Sequence, residues 1–464
     1  MRKILLLSVS AIISACTVGP DYKEPAIYED KQIAEVLQLH NTDLKISQEW
    51  YKQFDDEKLN TLINYAILNS PDIMSAISKL RQARSLVLIN QTTFLPMLNL
   101  NVEYDYAKPG KNIGLTADTD YFQTGFDASW EIDIWGKGRR INEQNIAQFE
   151  QALYSLRNVK SVITAEVATT FFELKNVHEN LRIARENLKL QQDIFNIVSE
   201  KYKIGLTDKS AYNQAQYILS NTKALIPSLE TSEKSYVNAL AILCGTLADR
   251  LPVILSEKDK NPLSRVYKYD LKPLYNLPAS IIRTRPDVKV AERALAAQNA
   301  AIGQAVAELY PNVSIGAMFG VQSKKISNLL NSNSNAYSYN PTLNLPLFNW
   351  GKISNNVNLQ KQIKEEKYQN LRKTLLQAVQ DLSNATIAIQ KELETNKNQR
   401  VAVNNMQQVL ISMREKYNNG LIEFSDLLQT QQNLLKAQTD LANSNSNIFK
   451  NIIAFYKATG GGYN

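Results

Sequence analysis

Histidine and cysteine are almost missing from this chain of 464 residues, which holds two of each: His40, His178, Cys16 and Cys244. No Cys or His pair stands at metal-ligand spacing, so a zinc or other metal centre has no donor set and none is expected. No glycine-rich loop links a strand to a helix, which removes the usual phosphate cradle. The acidic pair Asp55-Asp56 is adjacent in sequence, the pattern of a solvated cap. The reading is therefore a protein that is not an enzyme and carries no cofactor. Past the extreme N-terminus there is no run of about 20 apolar residues, which excludes a helical membrane span. The net charge is +7, but Lys and Arg are dispersed without a basic block, so no nucleic acid partner is expected.

The first residues differ in kind from the rest. Arg2 and Lys3 precede a short apolar run, Ile4 to Ile13, and Ile13-Ser14-Ala15 ends at Cys16. This reads as a secretory signal over 1–15, too short to span a bilayer. Ile-Ser-Ala-Cys resembles the bacterial lipobox, which implies that Cys16 is acylated and opens the mature chain. Similarity to exported lipoproteins also implies that Thr17, in place of Asp, favours the outer membrane. Acyl chains contribute about 0.8 kcal/mol per buried CH₂, so such an anchor is effectively permanent. Cys244 is then left without a disulfide partner and reads as a small buried apolar residue.

The chain repeats itself at a single offset of 215. Pro71-Asp72 returns as Pro286-Asp287, and Trp135-Gly136-Lys137 as Trp350-Gly351-Lys352. Lys201-Tyr202 and Gly205-Leu206 return as Lys416-Tyr417 and Gly420-Leu421, and Gly245 as Gly460. The copies therefore span 71–245 and 286–460. They are flanked by an N-terminal segment, 16–70, a Pro-containing linker, 246–285, and a short tail, 461–464. The repeated residues include many Pro and Gly, so the copies share element boundaries and not merely composition.

Each copy carries two stretches of period two. Leu98, Leu100, Val102, Tyr104 and Tyr106 alternate with Asn99, Asn101, Glu103 and Asp105. Phe122 to Ile134 alternates with Gln123, Asp127, Ser129, Glu131 and Asp133. The second copy does the same more weakly after Pro311. A sandwich strand and a membrane-barrel strand both alternate this way. Length and flanking aromatics, such as Tyr104, Tyr121, Trp135 and Trp350, favour the barrel, with the polar residues lining its lumen.

After Trp135-Gly136-Lys137-Gly138 the chain runs 66 residues without Pro or Gly to Gly205, and after Gly351 it runs 68 to Gly420. As continuous helices these would reach roughly 100 Å and would need a partner along their length. Leu174, Val177, Leu181, Ala184, Leu188, Phe195, Val198 and Tyr202 supply a seam of coiled-coil period, broken only at Gln191. Lys201 to Ser210 and Lys416 to Ser425 are then hairpin tips. Pro227 should bend the first return helix.

Four strands cannot close a barrel, for which about eight are the minimum, so two, three or four copies must assemble. Here a resemblance applies. Cys16-Thr17-Val18-Gly19-Pro20-Asp21-Tyr22, Trp50 with Phe54-Asp55-Asp56, Leu277-Pro278 with Arg285-Pro286-Asp287, the paired Trp-Gly-Lys sites and Gly460-Gly461-Gly462 resemble the TolC-type outer-membrane factors. The match is nearest to their lipoprotein branch in tripartite multidrug pumps. The resemblance implies an α+β membrane protein. Its homotrimer would have an outer-membrane β-barrel, four strands per chain, continuous with a long α-helical coiled-coil barrel. It further implies an equatorial girdle, contact with outer-membrane lipid, a periplasmic adaptor and an inner-membrane proton-driven pump.

The family closes its tube with side chains near the start of the return helices. The usual acid nine residues past the tip glycine is Gln429 here, and Asp426 lies one turn earlier. In the first copy Asp208 is nearest the tip. Asp426, Gln429 and Asp208 are the expected gate, although an acid there also stabilises a helix N-terminus. Gly205, Leu206, Thr207, Gly420, Leu421 and Ile422 are the expected adaptor contact. A type I protein-secretion duct and a periplasmic coiled-coil lipoprotein of structural or adaptor role are the alternatives.

Overall fold

A computed structural model describes residues 17–37, 47–110, 112, 119–251 and 277–462. The signal segment 1–15, Cys16, His40 and linker residues 252–276 lie outside the described residues. Short helices cover Asp30–Leu37 and Ile281–Thr284. The main elements are α1 (Glu57–Asn69), α2 (Pro71–Gln91), β1 (Met97–Ala107), β2 (Thr119–Ile132), α3 (Lys137–Lys203) and α4 (Lys209–Leu243). The last five of these recur as α5 (Pro286–Ala307), β3 (Asn312–Ser323), β4 (Asn335–Asn344), α6 (Lys352–Asn418) and α7 (Phe424–Ala458). Both long helices have 67 residues and both return helices 35. The fold therefore consists of two tandem structural repeats. Pro227 does not end α4, which runs through it.

Two compact units emerge. One comprises Met1–Ala26, Ser78–Tyr154 and Lys289–Lys373. Its centre is an antiparallel sheet in the order β1-β2-β3-β4. The register sets like faces side by side: Asn99 opposes Asp127, which opposes Met318, while Leu100 opposes Phe126, which opposes Phe319. The alternation read from the sequence thus becomes two coherent sheet faces. The apolar one lies open in the single chain, with Val102 80% and Phe319 68% exposed.

The other unit comprises Ile27–Ile77, Ser155–Val288 and Thr374–Asn464. Its core holds stacked Phe172 and Phe449, 4.2 Å apart, with Phe54 edge-on to both. Trp50 stacks on Tyr456 at 5.4 Å. The C-terminal glycines are held against α3, where Ser161 Oγ donates to Gly461 O at 2.6 Å and Thr164 Oγ1 to Gly462 O at 3.1 Å. Cys244 is fully buried, and burial pushes its thiol up to about 11. It behaves as the inert small residue expected of it.

Two buried charges organise this unit. Asp56 caps α1 by accepting from Lys58 N at 3.1 Å and Leu59 N at 3.2 Å, and it pairs with Lys175 Nζ at 3.0 Å. Arg285 donates to Ala458 O at 2.9 Å, at the end of α7, and pairs with Asp287 and Asp381. Its equivalent in the first repeat is the buried Ser70. Asp56 and Lys175 are both under 8% exposed, so removing the carboxylate takes away a buried ion partner of Lys175 together with the cap of α1. Asp56→Ala is expected to destabilise the protein by about 3–5 kcal/mol. Lys175→Met should cost much less, because Asp56 keeps its two backbone donors. Denaturant melts of both variants check the difference.

Candidate functional site

The polar sheet face is built by alternation, which sends every second side chain to one side. Asn101 donates to the Asp127 carboxylate, Tyr121 to Asp105 at 3.0 Å, and Gln322 to Gln123. The register brings Asn99, Asn101, Glu103, Asp105, Gln123, Asp127, Ser129 and Glu131 onto this one surface. Asp133 does not belong with them. It lies one residue past β2, and its carboxylate accepts from Gly138 N at 2.9 Å and Arg139 N at 3.0 Å at the start of α3. Unpaired helix N–H groups draw a carboxylate more strongly than a pleat directs it. Alternation could not show where the strand stops.

Beside the base of the sheet, residues 17–22 form a strap. Val18 N donates to Trp135 O at 3.1 Å. Arg140, 3% exposed, donates to Val18 O and Gly19 O, both at 3.1 Å, and to the Asp21 carboxylate at 2.9 Å. Asn299 Nδ2 donates to Pro20 O at 2.7 Å. Because Asp21 is 86% exposed, solvent screens that ion pair and the carbonyl bonds carry the grip. The strap crosses α5 where two glycines meet: a Cβ on Gly19 would collide with Gly303 Cα. The sequence showed the strap as a motif but not its receptor, since Arg140 sits more than a hundred residues away.

The hairpin tips are alike in backbone. Leu206 N donates to Lys201 O at 2.8 Å and Gly205 N to Tyr202 O at 3.1 Å; Leu421 and Gly420 repeat both bonds. This is a Schellman end, and it requires the positive φ seen at Gly205 (74°) and Gly420 (73°). Leu206 and Leu421 project into solvent at 72% and 71% exposure, with Thr207 and Ile422 half-buried beside them.

The acids at the tips differ. Asp208 is the N-cap of α4 and accepts from Ala211 N at 2.8 Å, the capping role weighed for it. Asp426 is exposed in the first turn of α7, and among the described residues its carboxylate takes no hydrogen bond. Gln429 donates to Asn433 Oδ1 at 3.0 Å on the same exposed side. Gln191, the break in the apolar seam, is 5% exposed and donates to Gln431 Oε1 at 2.9 Å, joining α3 to α7. Asn187 bonds Gln438 at 3.3 Å and Asn176 bonds Asn443 at 2.9 Å along the same seam. A buried amide in a coiled coil fixes register, which an apolar side chain does not.

The sequence profile described as Outer membrane efflux protein matches residues 62–246 and again 277–461. The chain belongs to the outer membrane efflux protein family. It is 25% identical over 466 residues to the cation efflux system protein CusC of Escherichia coli strain K12, covering 99% of each chain. It is 26% identical over 472 residues to the probable outer membrane lipoprotein SilC of Salmonella typhimurium, covering all of both. Its fold superposes on the crystal structure of the Campylobacter jejuni CmeC outer membrane channel with a TM-score of 0.85 and 25% identity, over 97% of this chain and 95% of that one. This efflux protein is an outer-membrane channel component of a tripartite efflux system, of α+β class, and extends into the periplasm. Family members are trimeric channels that work with adaptor proteins and inner-membrane pumps.

The strap makes a prediction. Arg140→Met removes every side-chain donor holding Val18 and Gly19 but leaves the sheet untouched. Trypsin should then cut after Lys23 faster than in the parent protein, measured by the rate at which the N-terminal peptide is released from the folded protein.

Proposed function

We propose that the chain is a passive exit duct for small molecules, crossing the outer membrane and periplasm as a homotrimer. The observation that carries this reading is the sheet of unit one, with one polar face, one open apolar face and, among the described residues, an unpaired edge at β1 and at β4. Three copies supply twelve strands, enough to close a barrel whose apolar face meets lipid. Asn99, Asn101, Glu103, Asp105, Gln123, Asp127, Ser129 and Glu131 then line the water-filled lumen.

Cys16 is the acylated residue, and the strap that follows it in sequence is gripped by Arg140 beside the base of the strands. The exposed leucines Leu206 and Leu421, with Gly205, Thr207, Gly420 and Ile422, form the adaptor contact. A proton-driven inner-membrane pump supplies the energy, because nothing in a passive duct does. Asp426 is the gate acid: it is exposed, its carboxylate makes no capping bond, and it stands in the first turn of a return helix. Gln429 extends that surface, and Asp208 serves the helix end.

Two experiments test this. Asp426→Ala should raise the single-channel conductance of the purified protein in planar bilayers, while Asp208→Ala should mainly lower stability, by about 1 kcal/mol. Unchanged conductance in Asp426→Ala removes that residue from the gate. Cys16→Ser should abolish incorporation of labelled palmitate, and retained label would place the acylation elsewhere.

A further inference from the structure

The repeat offset, applied to a contact inside one chain, identifies a contact between chains. At the hairpin tips the Lys201 ammonium lies over the Tyr417 ring, 4.6 Å from its centroid. Beneath it Ile194, Val198 and Ile218 of the first repeat pack with Phe424 and Leu428 of the second. Here α3 of repeat one meets α7 of repeat two, and the amide bonds of Gln191 and Asn187 continue the same seam.

Moving each partner by 215 residues exchanges the repeats: α3 becomes α6, α7 becomes α4, and Lys201 over Tyr417 becomes Lys416 over Tyr202. Within one chain that second seam is not made. Among the described residues no hydrogen bond or ion pair joins α6 to α4. Lys416 is exposed, and Tyr202 is 39% exposed with its ring stacked on Tyr212. The face of α4 that would receive α6 is open as well. Leu428, Gln431 and Ser446 of α7 are buried, whereas their counterparts Asn213, Gln216 and Thr231 on α4 are exposed.

We propose that a second copy of this chain covers that face, with Lys416 of one subunit over the ring of Tyr202 of the partner subunit. This rests on the trimeric duct proposed above and adds to it the pairing of the tips. The two seams are then chemically unequal. The Gln191–Gln431 bridge becomes Met406 facing Gln216, and Asn187–Gln438 becomes Ala402 facing Lys223. The register-fixing amides are therefore confined to the seam within the chain. The cation over an aromatic ring, a contact that tolerates sliding better than a directional amide bond, is what both seams share.

Photocrosslinking of the full-length protein in membranes separates the seams. A benzophenone amino acid in place of Tyr202 should give covalent dimer and trimer bands, with the crosslinked peptide containing Lys416. The same group in place of Tyr417 should link only within its own chain, to the peptide around Lys201. Lys416→Arg should retain the crosslink from position 202, and Lys416→Glu should lose it. If the parent protein is a trimer in detergent and position 202 links only within its chain, the tip pairing is wrong while the duct reading stands. If the protein is a monomer there, the duct reading falls, and the pairing with it.

Discussion

An unpaired strand edge cannot rest in hydrocarbon, because its N–H and C=O groups find neither water nor a partner there. This constraint governs the chain. β2 and β3 meet across the boundary between repeats and satisfy each other, so duplication turns two hairpins into one four-stranded sheet. Among the described residues it leaves β1 and β4 each with a free edge and the apolar face with no cover. No rearrangement of four strands removes two edges. Only further copies do, which is why the family's trimeric assembly follows from the sheet and is not an optional addition to it.

The 67-residue helices answer a different constraint. Helices of that length are not stabilised by their own sequence propensity and need burial along one stripe. α3 obtains it from apolar seam residues and from amides that interrupt them. Gln191 looks like an error in an apolar series until Gln431 is seen opposite it. Buried amides are weaker glue than leucine, but they make one register better than its neighbours. In a long helical assembly, a slip by one turn would otherwise lose little.

Nearly the same backbone in the two repeats carries different side-chain chemistry. Arg285 ties down the end of α7, where the first repeat has Ser70. Asp208 is engaged in capping α4, whereas Asp426 stands clear on α7. The shared parts are glycine-dependent helix ends, whose geometry leaves little choice. The differing parts are those where a side chain can act without disturbing the backbone. An exposed acid and a locked helix end can thus arise in one repeat while the other differs at both places.

The sequence by itself determined the repeat, its offset, the alternating strands, the long helices, the tips and the need for several copies. Each of these depends on periodicity or on backbone-restricted residues, both of which are local. The grip of Arg140 on residues 18 and 19, the pairing of Lys175 with Asp56, the bridge from Gln191 to Gln431 and the cation of Lys201 over Tyr417 were decided only in three dimensions. Their partners lie roughly a hundred or more residues apart, and no local pattern marks one polar side chain as the counterpart of another. Asp133 shows the same limit at short range. Period two placed it on the lumen face, but the unpaired N–H groups at the start of α3 took its carboxylate.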